Sequence, residues 1–337
     1  MNNSDLNNTV SQYFSHHIDL ISNFIGFYGI RIICSLGFLI NIFIIILLRN
    51  KKLKYSFYKH IRVKTVISLF ICLIGFGYQN SICEICQIYF RYETIVYTWT
   101  IRIGTRIMFM ISSFHEIYLI TNRYLILKNR NHWIVNINLK YYLPILIIMP
   151  TLFIAPLILI ISINRSKENS EDYYFSFTNI TQTNYFRAYI ISSIFIETIF
   201  PLVFLIVTSI LCHKQYKRRI KIKSKLTIVS IQNLKTLENN YTRIAIILTI
   251  LFIITRFSDF LFSLVARAQY IIYPNVDSDK IMNSVIFLMR QISYLFYFGL
   301  DSFSGLIFLQ IDTNLKTLSI RYFSRIKVIL FILFFKY

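Results

Sequence analysis

Five cysteines in 337 residues (Cys34, Cys72, Cys83, Cys86 and Cys212) are too few for a disulfide framework. The lone C-x-x-C, Cys83–Cys86, has no second Cys or His pair beside it to complete a zinc site, and whether those two thiols join is left open. Five prolines and eight glycines exclude a collagen-like or low-complexity chain. Charge is scarce too, at 15% of residues, where an ordinary soluble domain has about a quarter. The six histidines form no H-E-x-x-H, and no G-x-S-x-G occurs, so neither an enzyme, nor a catalytic residue, nor a metal site, nor a cofactor is expected. The first twenty residues hold no Lys or Arg and no apolar core, which argues against a cleavable signal peptide. The first hydrophobic stretch is then expected to start membrane insertion.

What the chain does have is apolar length. Hydrophobic residues make up 55%, and they are gathered in runs such as Ile40–Leu48, Leu143–Ile163 and Ile244–Ile254. Such runs are too apolar on every side for surface helices of a soluble domain. A bilayer core of about 30 Å needs about 20 residues of helix. Windows of that kind fall at Ile21–Leu48, Ile61–Cys83, Thr98–Leu125, Tyr141–Ile163, Phe186–Cys212, Ile244–Ala266 and Ile281–Leu309. Helices are expected rather than strands, because a single span must satisfy its own backbone. The expectation is an all-α membrane protein, a seven-helix bundle over 21–309. It is flanked by an extracellular segment 1–20 and a short cytoplasmic tail 310–337, where the apolar stretch Val328–Phe335 reads as a membrane-surface helix.

The excess of 36 Lys+Arg over 15 Asp+Glu gives a net charge of +21. In a membrane protein that excess marks inner loops, not nucleic-acid binding. Basic residues crowd one side of the spans. They include Arg49, Lys51, Lys52, Lys54, Lys59, Arg62 and Lys64 in the first loop region, and the series from Lys214 to Lys235 in the third. The opposite loops hold Arg91, Arg165, Lys167, Arg187 and Lys280. The bias sets the amino terminus outside and the carboxyl terminus inside. Sequons at Asn7, Asn164 and Asn179 fall on the outer side and are candidate glycosylation sites.

Ionisable residues inside spans are costly, so they mark function. The third span carries Arg102, Arg106, Ser113, Glu116 and Arg123 near helical spacing; the fifth carries Glu197, the sixth Arg256 and Asp259, the seventh Arg290, Tyr294 and Asp301. The second carries Ser68, Cys72 and Gly75 and reads as uncharged. Arg102, Arg106, Glu197, Asp259, Arg290 and Tyr294 are the candidate ligand-binding residues at the outer mouth. Their excess of guanidinium predicts a ligand bearing an acidic group.

Asn122-Arg123-Tyr124 closes the third span, Gly37 to Asn41 forms G-x-x-x-N in the first, and Pro201 lies in the fifth. With the span count and orientation, these resemble the rhodopsin-like class of G-protein-coupled receptors, of a divergent invertebrate chemosensory or peptide type. Some class motifs are replaced. The sixth span reads Phe252-Ile-Ile-Thr-Arg-Phe-Ser, the seventh Asp301-Ser-Phe-Ser-Gly, Ser68 stands for the second-span acid, and no cysteine is placed for the usual outer disulfide. The resemblance implies a multi-pass plasma-membrane receptor with an extracellular ligand, a heterotrimeric G protein and the bilayer as partners. It implies coupling through Asn122, Arg123 and Tyr124, with Glu238 and Asp301 in support. A transporter or channel using the buried Arg/Glu/Asp seam is the alternative. A tag placed within the Lys214–Lys235 loop should stay hidden from antibody until cells are permeabilised, whereas an amino-terminal tag should be reachable on intact cells.

Overall fold

The computed structural model describes residues 3–50, 53, 56–77, 92–128, 139–156, 161–165, 173–177, 184–223, 242–258, 260–261, 280–312 and 314–324. Asn179, Glu238, Asp259, Cys83, Cys86 and the run Val328–Phe335 lie outside the described residues, as do the side chains of Asn7, Arg102 and Asn164.

Helix α1 (Asn3–Phe24) passes through a π-helical turn (Ile25–Gly29) straight into α2 (Ile30–Leu48). The segment expected to precede the first span is therefore itself helical. Then come α3 (Ser56–Gly77), α4 (Tyr92–Leu127) and α5 (Leu139–Ile154). Strands β1 (Ile161–Arg165) and β2 (Tyr173–Phe177) follow, then α6 (Asn184–Ile194), a second π-helical turn (Phe195–Ile199) and α7 (Phe200–Lys223). Helix α8 covers 242–258, α9 is Lys280–Ile311 and α10 covers 314–324. Every apolar window thus contains a helix. Three stretches, Ile30–Leu48, Ile191–Lys221 and Ser284–Ile311, are long and apolar enough to cross a membrane, and Lys140–Ile154 is a shorter apolar helix. In α3 and α4 the inward residues Lys64, Arg106 and Glu116 lower the mean hydropathy.

The fourth window does not run as helix to Ile163. Helix α5 stops at Ile154, and Ala155 and Pro156 form a short 3-10 turn after it, proline disfavouring α-helical geometry in the residue before it. The chain returns as an antiparallel hairpin, Ile161 opposite Phe177 and Arg165 opposite Tyr173. Among the described residues this hairpin is the exception in an otherwise helical architecture.

Outward faces are apolar. Tyr141, Ile145, Met149 and Leu152 of α5, and Val207 and Ile210 of α7, are exposed, the inverse of a soluble surface. Hydroxyls on these helices turn back on their own backbone. Ser35, Thr65, Thr151, Ser192 and Thr249 each donate to the carbonyl four residues earlier, which keeps them satisfied without water.

Apolar clusters pack around the polar interior residues. One cluster joins α2, α3, α4, α5 and α9 through Ile30, Ile71, Phe109, Tyr142 and Phe298. Another joins α2, α3, α8, α9 and α10 through Ile44, Tyr58, Ile244, Phe308 and Leu315. A third joins α4, α7 and α8 through Ile120, Leu205, Ile246 and Phe252. Helix ends are closed by side chains. Arg62 Nη2 donates to the Leu48 carbonyl (2.6 Å) and Arg219 Nη2 to that of Ile126 (3.0 Å), where last-turn carbonyls have no helical donor. Asp312 Oδ1 accepts from the Asn314 and Leu315 amides and so starts α10, while its Oδ2 takes the Tyr58 hydroxyl at 3.0 Å.

Helix α2 lies against α9 closely enough that Gly37 is obligatory: a Cβ there would stand 2.7 Å from the Ser302 Cα. Gly37→Val should lower stability by about 1–3 kcal/mol through overpacking, read as a fall in apparent melting temperature in detergent. Gly299→Ala, where a Cβ meets nothing within 4 Å, should be neutral or slightly stabilising.

Candidate functional site

The polar residues form a column along α4. From Arg106 to Glu116 is ten residues, about 15 Å, and from Glu116 to Arg123 another seven, about 10 Å.

At the end nearer the start of α4 Arg106 Nη2 donates to both oxygens of Glu197, at 2.9 and 3.3 Å. The guanidinium is 41% exposed and the carboxylate 17%. Glu197 reaches this place because it sits in the π-helical turn before Pro201, where proline lacks the N–H that would bond the carbonyl one turn back. That carbonyl, of Glu197 itself, faces Arg256 Nη1 at 3.5 Å. One residue thus meets two guanidiniums, one by side chain and one by backbone.

Arg256, buried on α8, forms the next layer. Its Nη2 donates to the Phe109 carbonyl at 2.8 Å and to the Ser113 hydroxyl. Its guanidinium lies 4.6 Å from the Tyr297 ring centre and 5.1 Å from that of Phe252. Arg290 stands over the Tyr294 ring one turn along α9, at 5.6 Å. Tyr294 and Tyr297 both contact the Phe109 ring, so α9 and α4 share this level.

Below Phe252 lies the centre. Lys64 Nζ is 2.7 Å from Asp301 Oδ1, 3.1 Å from Glu116 Oε1 and 2.8 Å from Ser112 Oγ. Those three partners take all three ammonium hydrogens. Asp301 Oδ1 also lies 3.3 Å from Ser68 Oγ and from Ser112 Oγ. The side chains of Lys64, Glu116 and Asp301 are 1–3% exposed. The reading of α3 as uncharged, with Lys64 a loop residue, is therefore corrected. Helix α3 begins at Ser56, so Lys64 lies two turns inside it and faces the bundle. The signal was in the sequence, because Lys64 falls three residues inside the window that opens at Ile61.

Beside this cluster, fully buried His115 uses both ring nitrogens, Nδ1 with Tyr142 Oη (2.9 Å) and Nε2 with the His60 carbonyl (3.3 Å). At the far end of α4 Asn122 Nδ2 donates to Tyr118 Oη at 3.1 Å, Arg123 is buried, and Tyr124 Oη accepts from Lys128 at 3.3 Å.

Of the expected ligand residues, Arg106 meets Glu197 and Arg290 meets Tyr294, in two separate pairs. Asp301, expected beside the inner motif, is held at the centre by Lys64. Lys64, Ser112, Tyr58 and Asp312 are polar contacts that the span-by-span reading missed. Aspartate directly after an apolar run is a helix-start signal that could have found Asp312. No protein-family model matches the chain and no curated protein matches it.

Lys64→Met strands two buried carboxylates and should cost about 3–5 kcal/mol. Adding Asp301→Asn and Glu116→Gln to the same chain should recover most of that loss. Thermal unfolding in detergent of the wild type, Lys64→Met, the Asp301→Asn/Glu116→Gln pair and the triple variant measures the coupling.

Proposed function

We propose that the chain is a multi-pass receptor of the plasma membrane that binds an extracellular ligand and activates a heterotrimeric G protein. In this reading seven helices cross the bilayer, with the amino terminus outside and the carboxyl terminus inside. The supporting observation is the series of polar layers along α4. They run from the part-exposed ion pair Arg106–Glu197, past Arg256 and the Lys64 cluster, to the buried Arg123 of Asn122-Arg123-Tyr124. Such a column gives a ligand at one end a physical route to a partner at the other. A ligand shifts the balance of two arrangements only by as much as it binds one better.

The alternative, a solute or ion path, is less favoured by the centre of the column. A path needs a site that fills and empties, whereas here the cation is a tethered lysine with every hydrogen engaged.

At the outer level Arg106 and Arg290 outnumber Glu197 among the described residues, and Arg106 is open to solvent on one side. The ligand in this reading carries a carboxylate or similar acid, gripped by a guanidinium fork. Arg106→Lys keeps the charge without the fork and should weaken an acidic agonist at least several-fold in a binding assay. Arg123→Ala should leave surface expression and agonist affinity largely intact while abolishing nucleotide exchange on the G protein. Equal loss of expression would make Arg123 a structural charge, and a cationic agonist indifferent to Arg106 and Arg290 would remove the acid-binding role.

A further inference from the structure

Two of the five cysteines lie side by side. Cys34 on α2 and Cys72 on α3 are fully buried in one cluster, and their thiols are near enough to interact. The approach is set by backbone. Gly75, one turn beyond Cys72, has no side chain where the Cys34 sulfur lies, and a Cβ there would overlap that sulfur and stand 2.8 Å from the Phe298 ring.

The surroundings of Cys72 differ from those of an inert core thiol. Ser302 Oγ lies 3.3 Å from its sulfur and Asn41 Nδ2 lies 4.0 Å away. With the Cys34 thiol, three groups able to donate converge on one sulfur, an arrangement that supports negative charge there. Asp301, the adjacent residue on α9 to Ser302, would oppose that charge, but Lys64 holds it at 2.7 Å. Cys212, by contrast, is packed among Ile120, Leu127, Leu205 and Phe252.

We propose that Cys34 and Cys72 form a dithiol that hydroperoxides oxidise to a disulfide, stapling α2 to α3. Cys72 sulfur attacks one oxygen of the peroxide, the O–O bond breaks, and the other oxygen leaves as water. Cys72 is thereby oxidised to a sulfenic acid. Cys34 sulfur then attacks the Cys72 sulfur, the S–O bond breaks, and a second water departs with the Cys34 proton. Two thiols and one hydrogen peroxide become one disulfide and two waters. Oxidation draws the Cys72 sulfur toward α2 and away from Ser302, so the bond between α2 and α3 is gained as a contact with α9 is lost. Hydrogen peroxide is small and uncharged, and it reaches the pair when α2 and α3 part, so the reaction is slow and its rate reports that opening.

The test treats the purified full-length protein in detergent with hydrogen peroxide and maps its peptides without reduction. A Cys34–Cys72 linked peptide should appear before Cys212 is oxidised. The apparent melting temperature should rise by at least about 2 °C and fall back with dithiothreitol. Cys34→Ala should trap Cys72 as a sulfenic acid that dimedone labels. The proposal is overturned if Cys212 is oxidised while no Cys34–Cys72 peptide forms, or if Cys34 and Cys72 are instead found joined to Cys83 or Cys86. The wild-type peptide map decides the matter even where the alanine variant does not fold.

Discussion

A lysine ammonium buried between two carboxylates is the constraint around which the bundle is arranged. Lys64 on α3, Glu116 on α4 and Asp301 on α9 bring three helices to one point that water does not reach. Each of these charges would be prohibitively costly alone, and together they are tolerable only in this geometry. The packing follows from that requirement. Ser68 and Ser112 stand where Asp301 still has lone pairs to fill, and Gly37 lets α2 close on α9 at Ser302, the next residue along.

The centre has one carboxylate more than it has ammonium, and a second cation sits one layer away. Phe252 is the wall between them, with Lys64 at 5.8 Å and Arg256 at 5.1 Å from its ring centre. Lys64 and Arg256 against Glu116 and Asp301 make a balanced set of four, parted by an aromatic ring. Arg256 is thereby tied both to the inner acids, through space, and to the outer pair, through the Glu197 carbonyl. A displacement of Glu197 that reached Arg256 would change the field on the inner acids without any atom crossing the ring.

Much of this was legible before any coordinates, and the failures have particular causes. Helical spacing put Arg106 and Glu116 on one stripe of α4 and Glu197 was singled out in the fifth window, but the pairing of Arg106 with Glu197 is a tertiary contact. Lys64 was lost because a rule that counts basic residues near span ends cannot tell a loop charge from one two turns inside a helix. The hairpin was lost because an apolar run has no period by which strand and helix differ, and only Pro156 marked the change. Arg256 and Asp259 are neighbours on one helix face by spacing, yet the described contacts of Arg256 reach across to α4 and α9. Spacing fixes which residues share a face; which neighbour each one chooses is a matter of tertiary structure.

Chain order adds a temporal side to the Lys64 cluster. Arg62 and the Leu48 carbonyl it caps are only 14 residues apart, so the α2–α3 pair can close as soon as it is made. Asp301 is 237 residues downstream of Lys64. At about 5–20 residues per second the ribosome needs on the order of 10–50 s to deliver it. Glu116 emerges far sooner and is the first of the two partner acids that Lys64 can meet. The growing chain can therefore carry an ion pair with one acid through most of its synthesis, and α9 arrives to a socket already half built.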